Sequence, residues 1–159
     1  MIIRKAEEKD LDQVLALLSD LLELHAKLRP DIFIPGTTKY TKEELLDIFS
    51  NDETPVFLAM NDDDEEMMGY VFCIIREQPF TTNMIQFKTL FIDDFGVVEK
   101  FRGQHIATKM FEFIKEEAKR RGCYDVTLNV WEGNDKARKF YDSMGMKVKE
   151  TQLELILDK

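Results

Sequence analysis

The sequence predicts an α/β fold, α+β by stricter usage, with strands and packed helices arranged around one sheet. Three observations predict it. Apolar alternation of period two and apolar stripes of helical period succeed one another in the order β, α, a shorter α, β, β, β, α, β, α, β. The 159 residues match one typical domain and can bury a core without disulfide or metal staples, so residues 1–159 are expected to form a single domain. A composition that is 44% hydrophobic and 33% charged excludes a disordered or collagenous chain, and no internal repeat or linker divides it.

Met1 to Ala6 reads as a short strand. From about Lys9, the residues Leu11, Val14, Leu15, Leu18, Leu21, Leu22 and Leu28 follow helical spacing, with His25 on the same stripe. Pro30, Pro35 and Gly36 break that pattern, and Thr41 before Lys42, Glu43 and Glu44 is placed to cap a shorter helix through Phe49. Pro55 to Met60 and Met68 to Arg76 are apolar runs joined by the acidic Asn61 to Glu66, an antiparallel hairpin. The acidic run is a solvated loop tip, because the ligand spacing and glycine of a calcium loop are missing. Ile85 to Val98 forms the next strand. The helix carried by Phe101 to Gly122 has the stripe Ile106, Ala107, Met110, Phe111, Ile114 and Ala118, and ends on Lys119, Arg120, Arg121 and Gly122, which suit the negative end of its dipole. Cys123 to Val130 alternates as a strand, Asn134 to Met144 is a helix between Gly133 and Gly145, and Lys147 to Leu157 is expected to close the chain as a strand.

The net charge of −9 speaks against nucleic acid as a partner, since phosphate backbones are held by clustered Lys and Arg. No apolar run approaches the ~18 residues of a membrane span, and the N-terminus lacks the basic-then-apolar order of a signal peptide. No membrane association and a cytoplasmic location are expected. Cys73 and Cys123 lie far apart with no metal-ligand spacing, so reduced thiols and no metal site are expected. Residues 1–66 hold 7 basic and 17 acidic side chains, net −10, whereas residues 67–159 are nearly balanced. The asymmetry reads either as a solubility feature or as a second half that holds an anion beside a first half that meets a cation.

Two segments carry chemistry. In Val97-Val98-Glu99-Lys100-Phe101-Arg102-Gly103-Gln104-His105-Ile106-Ala107-Thr108 a strand ends, turns through Arg-Gly and opens a helix. The first amides of a helix lack internal partners and share the positive end of its dipole, so Gly103 to Thr108 can converge on a phosphate, with Arg102 adding a charged donor. The plain alternative is an ordinary strand-to-helix turn with an exposed arginine. The glycine patterns of dinucleotide and P-loop sites are both missing.

Arg102-Gly103-Gln104-His105-Ile106-Ala107 resembles the cofactor motif [Arg/Gln]-x-x-Gly-x-[Gly/Ala] of the GNAT superfamily of N-acetyltransferases, with His105 where the family usually has its middle glycine. The segment Leu128 to Met146 resembles that family's second block, N-x-x-A-x-x-F-Y-x-x-x-G-F, in the spacing of Asn134, Ala137, Tyr141 and Gly145, with Met146 as the apolar last position. With the flanking elements, the resemblance covers nearly the whole chain. It implies a mixed, mostly antiparallel central sheet flanked by helices, whose splayed strand pair forms an acyl-CoA cleft. It also implies acetyl-CoA as cosubstrate, no metal, and cofactor contacts from Phe95, Gly96, Val97, Val98, Arg102, Gly103, Gln104, His105, Ile106, Ala107, Thr108, Asn129, Asn134 and Ala137.

By spacing alone Ala137, Phe140, Tyr141 and Met144 share a helix face, and Tyr141 could simply pack there. In enzymes of the resemblance the asparagine matching Asn134 bonds the pantetheine arm, and the tyrosine matching Tyr141 protonates the departing thiolate. A phenol suits that task because its reference pKa near ~10 keeps it protonated at neutral pH. Amine acylation also needs a base, and Asp93 and Asp94 stand in an otherwise apolar strand. Relative to Arg102, Asp93 aligns with a glutamate of members that resemble polyamine acetyltransferases, so Asp93 is the expected base, with a structural pair as the alternative. Strand alternation sets Asp93, Phe95 and Val97 on one face and Asp94 with Gly96 on the other, one aspartate toward the cleft and the other toward a structural partner. Gly96 marks the expected strand bulge.

Trp131, Tyr124 and the phenylalanines read as core or dimer surface. His25, near Arg29, Pro30 and Asp31, lies where similar folds line the acceptor side, and otherwise reads as a satisfied or exposed histidine. The implied activity is acetyl transfer by direct attack of an amine on the thioester in a ternary complex, since neither cysteine has a nucleophile's setting. The acidic first half favours a small cationic amine such as a polyamine, and a protein amine stays open. The alternative is a non-catalytic acyl-CoA-binding sensor or interaction module. Alternating apolar residues in Lys147 to Leu157 suit pairing across a homodimer.

Overall fold

Five strands form one sheet in their chain order: β1 (Ile2–Lys5), β2 (Val56–Met60), β3 (Met67–Glu77), β4 (Lys88–Val97) and β5 (Asp125–Leu128). The computed structural model describes residues 1–79 and 82–157. β1 to β4 pair antiparallel, and β5 joins β4 in parallel. Parallel strands need a crossover, and helix α3 (Ile106–Arg120) supplies it. The remaining helices are α1 (Leu11–Leu28), α2 (Lys42–Ser50) and α4 (Asp135–Ser143).

The sheet has a core on each face. Leu58, Tyr70 and Phe72 meet Val14 and Leu18 of α1 and Leu45 of α2 on one side, while Val71, Leu90 and Ile92 meet Met110, Phe111 and Ile114 of α3 on the other. β2 is buried along its whole length, which explains its continuous apolar run. α2 starts at Thr41 as expected: the Thr41 hydroxyl accepts from the Glu44 amide at 3.1 Å, and the Glu44 carboxylate accepts from the Thr41 amide at 3.0 Å. Near the start of the chain, the buried Asp10 receives both Nη atoms of Arg4, at 2.8 and 3.0 Å, and the Glu7 amide at 2.7 Å. Among the described residues no helix is long and apolar enough to cross a membrane.

Three expectations require correction. α3 begins at Ile106 rather than near Phe101, because residues 99–101 form a 3₁₀ turn and His105 takes a left-handed backbone, φ 61° and ψ 23°, which cannot continue a helix. β4 begins at Lys88, leaving Ile85 exposed outside the ladder. Lys147 to Leu157, expected as a closing strand, makes no ladder and is exposed throughout. Its alternation specifies an extended chain, but a strand also needs an edge to pair with. Ion pairs from Lys149 to Asp125 at 3.2 Å and from Arg29 to Glu154 at 2.6 Å hold it instead.

Candidate active site

The β4–β5 ladder runs from Thr89 opposite Asp125 to Ile92 opposite Leu128 and stops there. Beyond it β4 continues along β3 as far as Val97, while the chain after Leu128 leaves through Asn129, Val130 and Trp131 toward α4. The two strands thus splay, leaving Phe95, Gly96 and Val97 half-buried along an edge without a β5 partner. A cavity of about 400 Å³ opens at the divergence. Leu21 and His25 of α1, Phe33 and Lys39 of the segment before α2, Asp93, Asp94 and Phe95 of β4, Asn129, Trp131 and Asn134 between β5 and α4, and Ala137 and Tyr141 of α4 all line it.

The bulge in β4 falls at Asp93, not at Gly96. Phe72 stands opposite Asp94 and Cys73 opposite Ile92, so Asp93 has no partner on β3. One extra residue breaks the alternation and turns Asp93 to the same side as Asp94, away from Phe95 and Val97. Both carboxylates therefore line the cavity, rather than one aspartate facing it and the other a structural partner. They share a cation: Lys39 Nζ donates to Asp94 Oδ2 at 2.5 Å and to Asp93 Oδ2 at 3.3 Å. Burial pushes the Asp94 carboxyl above the ordinary carboxylate range, with Lys39 pulling it back in part. Gly96 is a glycine for a different reason. A Cβ there would lie 2.6 Å from Cε1 of the fully buried Tyr70.

Tyr141 sits among Phe140, Phe95 and Phe111, with ring centres 5.2, 6.4 and 6.3 Å away. Burial pushes its phenol up to about 12. Packing and chemistry thus coincide in one side chain, which belongs to the second core and also faces the cavity. Asn134 caps α4, its Oδ1 accepting from the Ala137 amide at 3.3 Å, which leaves its side-chain NH₂ for a ligand. Trp131 and Phe33, read from sequence as core or dimer surface, line the cavity as an edge-to-face pair at 5.5 Å. His25 tilts against Phe33 at 5.2 Å, and burial pulls its imidazole below the ordinary range.

Arg102 to Thr108 lie apart from this cavity, in the turn between β4 and α3 and the first residues of α3. Gly103 has φ 80°, and a Cβ there would meet nothing within 4 Å, so the turn is open to an approaching group. The first intrahelical bond there runs from the Lys109 amide to His105 O at 3.1 Å, so the amides of Ile106, Ala107 and Thr108 precede it at the positive end of a 15-residue helix. Val98 departs from expectation. Its N–H already donates to Met68 O at 2.8 Å, its carbonyl accepts from Phe101, and its side chain packs on the α1 face, leaving no free amide for a cofactor. Among the described residues no cluster of three or more His, Cys, Asp or Glu side chains could hold a metal.

The residue missed by sequence reading is Lys39. It stands alone in an irregular segment where neither periodicity nor any motif marks it, and only the tertiary fold brings it to the aspartates.

The chain resembles known proteins across this whole architecture. A glucosamine 6-phosphate N-acetyltransferase from Arabidopsis thaliana is 29% identical over 111 residues, 59% of this chain and 72% of that protein. A thialysine N-ε-acetyltransferase from Bos taurus is 26% identical over 149 residues, 91% of this chain and 83% of that one. The crystal structure of a mutant of the BH1408 protein from Bacillus halodurans superposes with a TM-score of 0.93 at 30% identity, covering 99% of each chain. Residues 18–146, which hold the splayed strands, the α3 turn and the α4 tyrosine, match the acetyltransferase (GNAT) family, and the chain belongs to it.

Proposed function

We propose that this acetyltransferase moves the acetyl group of acetyl-CoA to the nitrogen of a small cationic amine by direct attack with both substrates bound. One observation carries the reading: the Asp93–Asp94 pair and Tyr141 line the same cavity, where the strands splay. Paired carboxylates select an ammonium. The cavity's basic side chains are Lys39, itself held by the aspartates, and His25, whose burial favours its neutral form, so the lining is poorly suited to a phosphate. That favours a side-chain amine of the kind named for the bovine relative over the sugar phosphate named for the plant one.

The fit to acetyl-CoA rests on the open turn at Gly103 and the unpaired β4 edge. Arg102 and the amides from Gly103 to Thr108 would take the pyrophosphate, the β4 edge at Phe95 to Val97 the acyl end, and Asn129, Asn134 and Ala137 the pantetheine arm. When bound, acetyl-CoA supplies an activated thioester. Asp94 holds the ammonium, Asp93 accepts its proton, and the Tyr141 hydroxyl holds the proton needed by the departing sulfur.

Thermal stabilisation by acetyl-CoA, against CoA, ATP and NAD, tests the pocket, and CoA release with a panel of amines tests the acceptor. A selective shift and faster turnover of diamines at low salt are expected. Neutral or anionic amines outcompeting cationic ones would sink the acceptor assignment.

We further propose that the enzyme is a homodimer in which a second copy covers residues 147–157. Leu153 and Leu155 are 87% and 84% exposed, and Val148 and Leu157 are exposed with them, on a strand-patterned segment without a strand partner. Sedimentation equilibrium should give twice the chain mass, and Leu153→Glu with Leu155→Glu should give a monomer. A wild-type monomer at micromolar concentration would refute the assembly.

A further inference from the structure

Lys39 makes, from within the chain, the contacts that a substrate ammonium would need. Its Nζ lies between two carboxylates, 2.5 Å from Asp94 and 3.3 Å from Asp93, and 5.3 Å from the ring centre of Tyr40. Carboxylate oxygens together with an aromatic face are how proteins recognise a primary ammonium, and a lysine side chain ends in that same group. We infer that Lys39 is a resident stand-in for the acceptor's ammonium, occupying its cation subsite, and that a primary amine enters by displacing it. The inference rests on the amine acetyltransferase reading above and adds how the acceptor is admitted.

The asymmetry of the pair supports exchange. Asp94 is 7% exposed and fixed in a central strand, whereas the Lys39 side chain is 41% exposed and stands on the irregular segment between α1 and α2. The carboxylates therefore stay while the lysine, on its flexible four-carbon stem, can return its charge to water. Emptying the site outright would leave a buried carboxylate unpaired, which is strongly unfavourable. Replacing one ammonium by another avoids that cost, whereas a neutral or anionic acceptor cannot make the exchange. Occupancy by Lys39 also lowers the apparent affinity for the acceptor in proportion to the fraction of enzyme it blocks.

The experiment is titration of 1,4-diaminobutane into CoA-saturated enzyme by calorimetry at about pH 8, on the wild type, Lys39→Met and Lys39→Arg, with KM and kcat measured in parallel. Lys39→Met should bind the diamine at least ~10-fold more tightly and lower its KM by the same factor, because the competing cation is gone. Lys39→Arg keeps a cation on the pair and should show no tightening. Equal or weaker binding to Lys39→Met, or no binding to either protein, overturns the inference. Should Lys39→Met fail to fold, the ordered ammonium of Lys39 in ¹⁵N-lysine wild type supplies the test. Its signal should vanish on diamine addition, and persistence at saturation overturns the inference. Failure of the acetyltransferase reading shows separately, as no CoA release from bound acetyl-CoA with any amine, since the binding measurements need no turnover.

Discussion

Asp93 and Asp94 are neighbours in a strand, yet both side chains turn to the same face of the sheet, because Asp93 has no partner on β3. The bulge doubles the negative charge at one point of the cavity and gives the two carboxylates different burial: Asp94 is 7% exposed and Asp93 28%. Asp93→Asn should lower kcat by about 10²-fold, the usual worth of a positioned base, while leaving CoA affinity unchanged. Comparable turnover in the variant would remove Asp93 from the chemistry.

Asp94 should instead appear in the pH dependence of stability. Its carboxyl lies above the ordinary range in the folded protein, chiefly through burial. The folded state therefore binds this proton more tightly than the unfolded chain, whose aspartate titrates near ~3.9, and stability falls as pH rises from there through the folded pKa. Asp94→Asn removes that fall. Denaturant unfolding from about pH 3 to pH 7 should show wild-type stability declining relative to the variant as pH rises. A rising difference would mean that the Lys39 contact outweighs burial.

Tyr141→Phe should leave acetyl-CoA affinity intact and reduce kcat by about 10²-fold. Since burial pushes the phenol up to about 12, the wild type should show no alkaline loss of activity from this group at ordinary assay pH. Steady-state kinetics with CoA binding by calorimetry separates the two effects. Loss of CoA binding in the variant would assign Tyr141 to packing among Phe95, Phe111 and Phe140.

His105 occupies a left-handed backbone, φ 61°, directly before α3. An L-residue with a Cβ is disfavoured there by about 1–2 kcal/mol, a physical reason for the glycine at this position of the motif that the turn resembles. His105→Gly should raise stability by about 1 kcal/mol and tighten acetyl-CoA binding by opening the approach to the amides of Ile106 to Thr108. Weaker binding would show that the imidazole itself contacts the cofactor.

The buried Asp10 anchors the first strand through both Nη atoms of Arg4. Asp10→Ala leaves Arg4 with the single carboxylate of Asp64, at 2.7 Å, and removes the acceptor for the Glu7 amide. A loss of about 3 kcal/mol is expected, the lower end for a broken buried pair because Arg4 keeps a partner. A loss below about 1 kcal/mol would place the pair with ordinary surface ion pairs.

Local signals were legible where a residue's task is set by its chain neighbours. Thr41 caps α2 because Glu44 follows three residues later, whereas helical spacing puts Tyr141 on a packing face and only the family resemblance implies its place at the cleft. What could not be read depends on partners distant in the chain. The side on which Asp93 emerges is decided by how β3 meets β4, not by alternation within β4. Lys39 reaches Asp94 across 55 positions of sequence. The tail from Lys147 to Leu157 has the pattern of a strand, but pattern alone does not specify an edge for it to join.

Gly96 carries the last test, because its lack of a side chain is tied to one ring. A Cβ would lie 2.6 Å from Tyr70 Cε1 and 3.3 Å from its Cδ1, with Leu17 Cδ2 of α1 at 3.6 Å. Tyr70 is fully buried and packed edge-on to Phe72 at 5.4 Å, so the ring cannot move without disturbing the α1 face of the core. Gly96→Ala should therefore cost about 1–3 kcal/mol by overpacking. The same shift would press on the strand segment that carries Asp94, so KM for the amine should rise with the loss of stability. Tyr70→Leu on its own removes ring volume and leaves a cavity. Combined with Gly96→Ala, it should recover part of both losses, a coupling of at least ~0.5 kcal/mol in a double-mutant cycle. Strict additivity would show that the glycine is required by something other than Tyr70.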